Sequence, residues 1–163
     1  MYRTILFDLD GTLTDSGIGI TNSVAYALKK WNITEKDRTV LNKFVGPPLA
    51  QSFAKYYGFS PKECEKAIEY YREYYHERGI YENRVYEGIE DLLIWLQDTG
   101  RRAIVATSKP EPSAIHVLEH FHLASYFDII AGATMDGSRV EKGDVIRYAL
   151  ERAGLRELSG AVM

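Results

Sequence analysis

The stretch that decides the fold is Thr4-Ile-Leu-Phe-Asp-Leu-Asp-Gly-Thr12, close to the start of the chain. A short run of apolar and β-branched residues that ends in a turn is typical of a buried strand in a parallel sheet. Ligands of open α/β sheets bind at the carboxyl ends of the strands. Because Asp8 and Asp10 follow this strand directly, we expect their carboxylates to lie at a binding site.

The second half of the chain alternates between strand patterns and helix patterns. The predicted strands cover 102–107 and 127–131, and the predicted helices cover 87–96, 111–121 and 142–153. Such alternation implies parallel strands joined by right-handed crossovers. We therefore predict a Rossmann-like α/β core domain with a parallel sheet, formed by residues 1–15 and 86–163.

Residues 16–85 show helical patterns and no convincing strand. Helices are predicted after Ser16, a candidate N-cap residue, and near 36–44, 49–57 and 61–78. Breaks fall at Gly46-Pro-Pro48 and at Gly58-Phe-Ser-Pro61. We predict that this segment is a helical domain inserted into the α/β core.

Composition limits the classes of partner. The 163 residues include 20 Lys and Arg against 23 Asp and Glu, a net charge of -3, which argues against nucleic acid as the main partner. No apolar run approaches the about 20 residues that span a bilayer. Cys64 is the only cysteine, and it cannot form an internal disulfide. We predict a soluble cytoplasmic protein that binds neither nucleic acid nor membrane.

Polar side chains follow further predicted elements of the core. Thr107 and Ser108 end the second strand, and Lys142 begins the last helix. Two carboxylates, hydroxyls and an ammonium group suit the handling of a phosphoryl group with a metal ion. A carboxylate can attack phosphorus, and a second acid can protonate the leaving group. Mg²⁺ and cationic side chains can offset the negative charge of the transferring group.

Three segments resemble motifs of the haloacid dehalogenase superfamily phosphatases. Asp8-Leu-Asp-Gly-Thr-Leu-Thr-Asp15 resembles the first motif, Ala103-Ile-Val-Ala-Thr-Ser-Lys-Pro110 the second, and Arg139-Val-Glu-Lys142 with Asp144-Val-Ile146 the third. The resemblance is closest to the phosphoglycolate phosphatase-like branch, which also matches at Val45-Gly-Pro-Pro-Leu49.

The resemblance implies roles for individual residues. Asp8 would be the nucleophile, Asp10 the acid and base, Thr107 a phosphate ligand and Lys142 the balancing charge. Mg²⁺ would be held by Asp8 and Asp10. Residues 16–85 would form a cap domain that selects the substrate. The implied substrate-binding residues are Leu9, Gly11, Thr12, Ser108, Lys109, Gly46 and Pro47.

One family feature is not found in the sequence. A fourth motif, an acidic segment that completes the metal site, would follow a strand that begins near Leu158, and the sequence stops at Met163. We therefore expect a core that is truncated at the C-terminus, weakened metal binding and low activity. We also expect an unpaired edge at Thr4–Phe7, which would favour self-association.

The sequence favours a Mg²⁺-dependent phosphatase that hydrolyses a small phosphate monoester, such as phosphoglycolate, through an aspartyl-phosphate intermediate. A 5'-nucleotidase or another sugar-phosphate phosphatase of the same family is an alternative. Two alternatives from other classes remain: a catalytically silent fragment and a phospho-accepting signalling module. Receiver-type modules place the acceptor on a mid-chain strand and have no acid two residues later, so the position of Asp8 and Asp10 favours the enzyme.

Overall fold

A four-stranded parallel sheet forms the centre of the α/β unit. The computed structural model describes residues 2–155 and 161–163. The strands are β1 (Thr4–Phe7), β2 (Arg102–Pro110), β3 (Ile129–Ala133) and β4 (Ala161–Val162), in the order β3-β2-β1-β4. All three strand pairs are parallel. The predicted α/β class with a parallel sheet is therefore confirmed.

The helices follow the predicted spacing closely. They are α1 (Gly17–Lys29), α2 (Leu49–Tyr57), α3 (Pro61–Tyr74), α4 (Ile89–Asp98), α5 (Glu111–His120) and α6 (Lys142–Arg152). The chain divides into two compact units, one formed by Met1–Leu13 with Val85–Met163 and the other by Thr14–Arg84. In the described part of the chain, no helix is both long and apolar enough to cross a membrane.

The core of the α/β unit lies between the sheet and α6. Leu6, Ile104 and Ala131, one from each of β1, β2 and β3, pack against Val145 and Ala149 of α6. All five side chains are buried. This packing fixes the first turn of α6 near the carboxyl ends of the strands, because the helix runs back along the sheet.

The expected unpaired edge at Thr4–Phe7 is wrong for the first half of β1. Thr4 pairs with Ala161 and Ile5 pairs with Val162, so a short strand covers this part of the edge. The predicted start of that strand near Leu158 lies outside the described residues. A two-residue strand is long enough to satisfy the backbone groups of only the first residues of β1.

An apolar hollow of about 340 Å³ lies on one flank of this sheet. Tyr2 and Trp95 line it and are 56% and 51% exposed. The other lining residues are Ile5, Phe7, Leu92, Leu96, Arg101 and Val162. Apolar surface is therefore exposed beside β1, and the expected self-association stays a prediction.

Two backbone segments of the helical unit approach each other closely. A Cβ atom on Gly19 would lie 1.9 Å from the carbonyl oxygen of Gly79, so α1 and the 75–79 segment touch where neither has a side chain. The helix predicted over 61–78 therefore changes character. It is α-helical to Tyr74 and then widens into a π-turn, in which the Ile80 N–H donates to the Tyr75 carbonyl.

Two helix starts show the difference between a cap residue and a cap hydrogen bond. Ser60 forms the reciprocal capping box with Glu63 at the start of α3. Ser16 precedes α1 as predicted, but its side chain makes no cap hydrogen bond, and its buried hydroxyl has no hydrogen-bond partner among the residues that the structure describes. The segment predicted as a helix near 36–44 is a 3-10 helix at Arg38–Phe44.

Candidate active site

Asp8 and Lys142 form an ion pair at the carboxyl end of β1. Asp8 Oδ2 lies 2.8 Å from Lys142 Nζ, and Asp8 Oδ1 accepts a 2.8 Å hydrogen bond from the Leu9 N–H. Lys142 Nζ also donates to the Ala106 carbonyl on β2 at 2.8 Å. The ammonium group therefore bridges the ends of two adjacent strands. About a third of each side chain is exposed, so the pair remains accessible from solvent.

The position of Lys142 is unusual for a lysine. It is the first residue of α6, where the helix dipole disfavours a positive charge. The Asp8 carboxylate and the Ala106 carbonyl supply the negative charge that offsets this cost. The sequence motif predicts Lys142 at the site, and in the structure the Lys142 ammonium group contacts the Asp8 carboxylate.

Asp10 forms a second, more deeply buried ion pair with Lys109. Lys109 Nζ lies 3.0 Å from Asp10 Oδ1 and 2.9 Å from Asp10 Oδ2. The Lys109 side chain is 5% exposed and that of Asp10 is 9% exposed. We expected Lys109 to contact the substrate. In the structure its ammonium group is directed at both oxygens of the Asp10 carboxylate, and the contact with substrate stays a prediction.

Thr107 connects the second motif to this pair. Its side chain is buried, and its hydroxyl accepts a 3.2 Å hydrogen bond from the Lys109 N–H. Ser108, between the two, is partly exposed. The hydroxyl of Thr107 also carries a proton that it can donate to an anion, so its predicted role as a phosphate ligand is compatible with this contact.

The ends of β2 and β3 are joined by a clamp around the Gly132 peptide. The Gly132 N–H donates to Glu111 Oε2 at 3.1 Å, and Arg139 Nε donates to the Gly132 carbonyl at 3.1 Å. Arg139 and Glu111 approach to 3.5 Å and close the ring. We call Glu111, Gly132 and Arg139 the β3 clamp. It links the segment that carries Lys109 to the loop that leads to Lys142.

The other residues that were predicted to bind substrate lie in several parts of the structure. The Leu9 side chain is fully buried in the core, so only its backbone can face a ligand. Gly11 and Thr12 are exposed, and Gly11 has a φ of +81°, which favours glycine at this turn. Gly46 and Pro47 belong to the helical unit, between its 3-10 helix and α2. Their role in substrate binding stays a prediction.

The carboxylates of this unit fit a divalent cation through Asp8. Mg²⁺ prefers oxygen ligands and is usually bound by one or two carboxylates together with water and substrate phosphate. Asp8 offers a partly exposed carboxylate. Asp10 fits less well through its side chain, because both of its oxygens contact Lys109. Over residues 2–155 and 161–163, no three His, Cys, Asp or Glu side chains lie close enough to bind a metal together.

The sequence motifs did not reveal the β3 clamp. Glu111 stands in the first turn of α5, where an acid is expected from the helix dipole alone. Arg139 belongs to the third motif, but nothing in its spacing predicts a contact with a glycine carbonyl. Gly132 is the one signal, since a glycine inside a strand often marks a close backbone approach.

Comparison with known proteins shows the family. The sequence model of the haloacid dehalogenase-like hydrolase family matches residues 5–161 of this chain. The chain is 46% identical over 154 residues to a 5'-nucleotidase of Pseudomonas aeruginosa, a match that covers 94% of this chain and 70% of that protein. It superposes on a predicted phosphatase from Clostridium acetobutylicum with a TM-score of 0.97 and 52% identity, covering 100% of this chain and 75% of that one.

Two other relatives widen the range of named activities. The tyrosine-protein kinase PtkA of Mycobacterium tuberculosis is 42% identical over 156 residues, which are 96% of this chain and 52% of that protein. The phosphoglycolate phosphatase of Aquifex aeolicus is 29% identical over 152 residues, which are 93% of this chain and 70% of that protein. The chain thus spans about half to three quarters of the length of these relatives. It belongs to the haloacid dehalogenase-like hydrolase family, which confirms the family and the hydrolase class predicted from the motifs.

Proposed function

We propose that the protein is a Mg²⁺-dependent phosphatase that hydrolyses a small phosphate monoester through a phosphorylated Asp8. The observation that carries the proposal is the Asp8–Lys142 pair at the carboxyl ends of β1 and β2, with Asp10 two residues further along. This arrangement joins a nucleophile, a balancing cation and a second acid at the edge of the sheet where α/β proteins bind ligands.

The first step transfers the phosphoryl group to the enzyme. A carboxylate oxygen of Asp8 attacks phosphorus, the P–O bond to the alcohol breaks, and an acyl phosphate forms. Asp10 enters this step as the carboxylic acid and donates its proton to the departing alkoxide, which leaves it as the carboxylate that Lys109 contacts. Lys142 remains beside the anionic group and stabilises the charge that collects on its oxygens.

The second step regenerates the enzyme. A water molecule attacks the aspartyl phosphate, Asp10 accepts the proton of that water, and the bond between Asp8 and the phosphoryl group breaks. Inorganic phosphate leaves, and Asp8 is again a carboxylate. Thr107 donates a hydrogen bond to a phosphate oxygen in both steps, because its hydroxyl sits at the end of β2 beside Lys109.

Asp8 would hold the metal ion in this scheme. When bound, Mg²⁺ offsets the repulsion between the anionic nucleophile and the anionic substrate. The ammonium group of Lys142 contributes to the same end from the protein side.

The helical segment 16–85 supplies the cap domain that selects the substrate in this proposal. The similarity to a 5'-nucleotidase at 46% identity, against 29% for a phosphoglycolate phosphatase, favours a nucleoside monophosphate over phosphoglycolate as substrate. We place the enzyme in the cytoplasm, since its one thiol, Cys64, is unpaired and buried.

The test is a screen of phosphate release with Mg²⁺ against nucleoside monophosphates, phosphoglycolate and sugar phosphates. We expect multiple turnovers, a preference for nucleoside monophosphates, and loss of activity by at least about 10³-fold in Asp8→Asn, since the nucleophile is then absent. Asp98→Asn removes an exposed carboxylate of α4 and serves as the matched control.

Other outcomes would select the alternatives. One phosphate incorporated per chain without turnover would identify a phospho-accepting module. No incorporation and no release would identify a catalytically silent protein. Full activity in Asp8→Asn would contradict the proposed mechanism.

A further inference from the structure

The pair of Lys109 and Asp10 is the most completely buried of the ion pairs in the described residues. The two side chains are 5% and 9% exposed, whereas both partners of the other pairs are at least 20% exposed. Its ammonium group also contacts both carboxylate oxygens, at 2.9 and 3.0 Å. Contact with both oxygens restricts rotation of the Asp10 carboxylate about its Cβ–Cγ bond. A contact with only one oxygen would permit this rotation.

The backbone of Lys109 is itself held in place from two sides. Its N–H donates to the Thr107 hydroxyl. Its carbonyl lies so close to Gly132 that a Cβ atom there would approach it to 2.6 Å. The β3 clamp fixes this glycine through both its N–H and its carbonyl. The backbone from which the Lys109 side chain extends is therefore held by contacts with Thr107 on β2 and with Gly132 on β3.

We propose that Lys109 is a positioning residue that orients the Asp10 carboxylate beside Asp8 and acts on the substrate only through Asp10. The inference rests on the proposed function, in which Asp10 exchanges a proton with the leaving group. An acid that must reach one oxygen atom of the substrate depends on its orientation, and a misplacement of about 1 Å can cost about 10²-fold in rate.

The proposal predicts that the effect of changing Lys109 depends on the leaving group of the substrate. An alkoxide needs a proton as it departs, whereas p-nitrophenolate leaves without one. Because Asp10 also serves the second step for both substrates, the first step is measured alone, as release of the alcohol or of p-nitrophenol in a single turnover. In Lys109→Met we expect this rate to fall about 10²-fold for an alkyl phosphate and less than about 3-fold for p-nitrophenyl phosphate. The substrate concentration that half-saturates this single turnover should stay within about 2-fold for both substrates, because Lys109 does not contact the phosphate in this proposal.

A matched control and a second variant keep the test interpretable. Lys66→Met makes the same chemical change at an exposed pair with Glu69 and should leave both activities unchanged. Because Lys109→Met leaves a buried carboxylate without its partner, Asp10→Asn and Asp10→Asn/Lys109→Met are measured as well. Addition of the Lys109 change to Asp10→Asn should alter alkyl phosphate turnover by less than about 2-fold, since nothing remains to be oriented.

The outcomes distinguish this proposal from the one it rests on. If Asp8→Asn abolishes turnover but Lys109→Met lowers the single-turnover rate equally for both substrates, or raises the half-saturating substrate concentration of that step about 10-fold, Lys109 binds phosphate and the positioning role is wrong. A further 10-fold loss in the double variant would overturn it as well. If the unchanged chain hydrolyses neither substrate, the proposed function fails and this inference fails with it.

Discussion

The buried ion pair makes a quantitative prediction about stability. Lys109→Met removes one partner of a pair whose ammonium–carboxylate distance is 2.9 Å and whose side chains are almost fully buried. The loss of one partner from such a pair costs about 3–5 kcal/mol, because the other charge is left buried and uncompensated. The pair of Lys66 and Glu69 is shorter, at 2.6 Å, but it is 53% and 59% exposed. Breaking it should cost only about 0.2–1 kcal/mol.

The predicted loss of stability can be measured in the α/β unit alone. Trp31 lies in the helical unit and Trp95 in the α/β unit, and these are the two tryptophans of the chain. In a Trp31→Phe background, fluorescence therefore reports unfolding around Trp95 alone. At about 2–4 °C per kcal/mol for a protein of this size, Lys109→Met should lower Tm by about 6–20 °C.

The double variant tests the reason for the loss. Asp10→Asn/Lys109→Met contains neither charge, so much of the lost stability should return relative to Lys109→Met. A Tm shift in Lys109→Met no larger than that of Lys66→Met would show that burial of the pair does not determine its contribution. The same conclusion would follow if the double variant were less stable than Lys109→Met.

Three further predictions concern other parts of the molecule. Gly19→Ala should destabilise the helical unit by about 1–3 kcal/mol, because its Cβ would overlap the Gly79 carbonyl; an unchanged denaturant midpoint contradicts this. Burial raises the pKa of the Cys64 thiol, so a disulfide reagent should modify it slowly until the protein unfolds, and rapid modification of the native protein would be evidence against burial. The Ser138 N–H holds the pKa of Asp136 at about 2, below its ordinary 3.8. Its contribution to stability is therefore complete above about pH 4 and lost as the pH falls through about 2, and an NMR titration midpoint near 4 would refute this.

The first strand and the two carboxylates at its end could be predicted because their signals are local. The apolar run at Thr4–Phe7 followed by two carboxylates defines both a strand and its functional end. Lys142 was placed at the site by its motif, and the structure brings its ammonium group to Asp8. Family membership followed from the same motifs and is confirmed by the match over residues 5–161.

The sequence could not predict which lysine pairs with which acid. Asp10 and Lys109 are 99 residues apart, and their contact depends on the register between β1 and β2. A lysine is usually exposed, so burial of Lys109 was not expected. The close approach of Gly19 and Gly79, at the end of the π-turn, was likewise beyond local signals, since it joins two segments that are distant in sequence.

The path of the chain around residues 14–84 has an evolutionary consequence. Within the helical unit the Asp15 N–H donates to the Arg84 carbonyl, and the two side chains also pair. Within the α/β unit the Tyr86 N–H donates to the Leu13 carbonyl. The two ends of the helical unit therefore lie close together, and so do the two points of the α/β unit between which the helical unit is inserted. A segment of another length could replace residues 14–84 without disturbing the strands. In the proposed function, where this segment selects the substrate, such a replacement would change ligand preference and leave the side chains at the strand ends as they are.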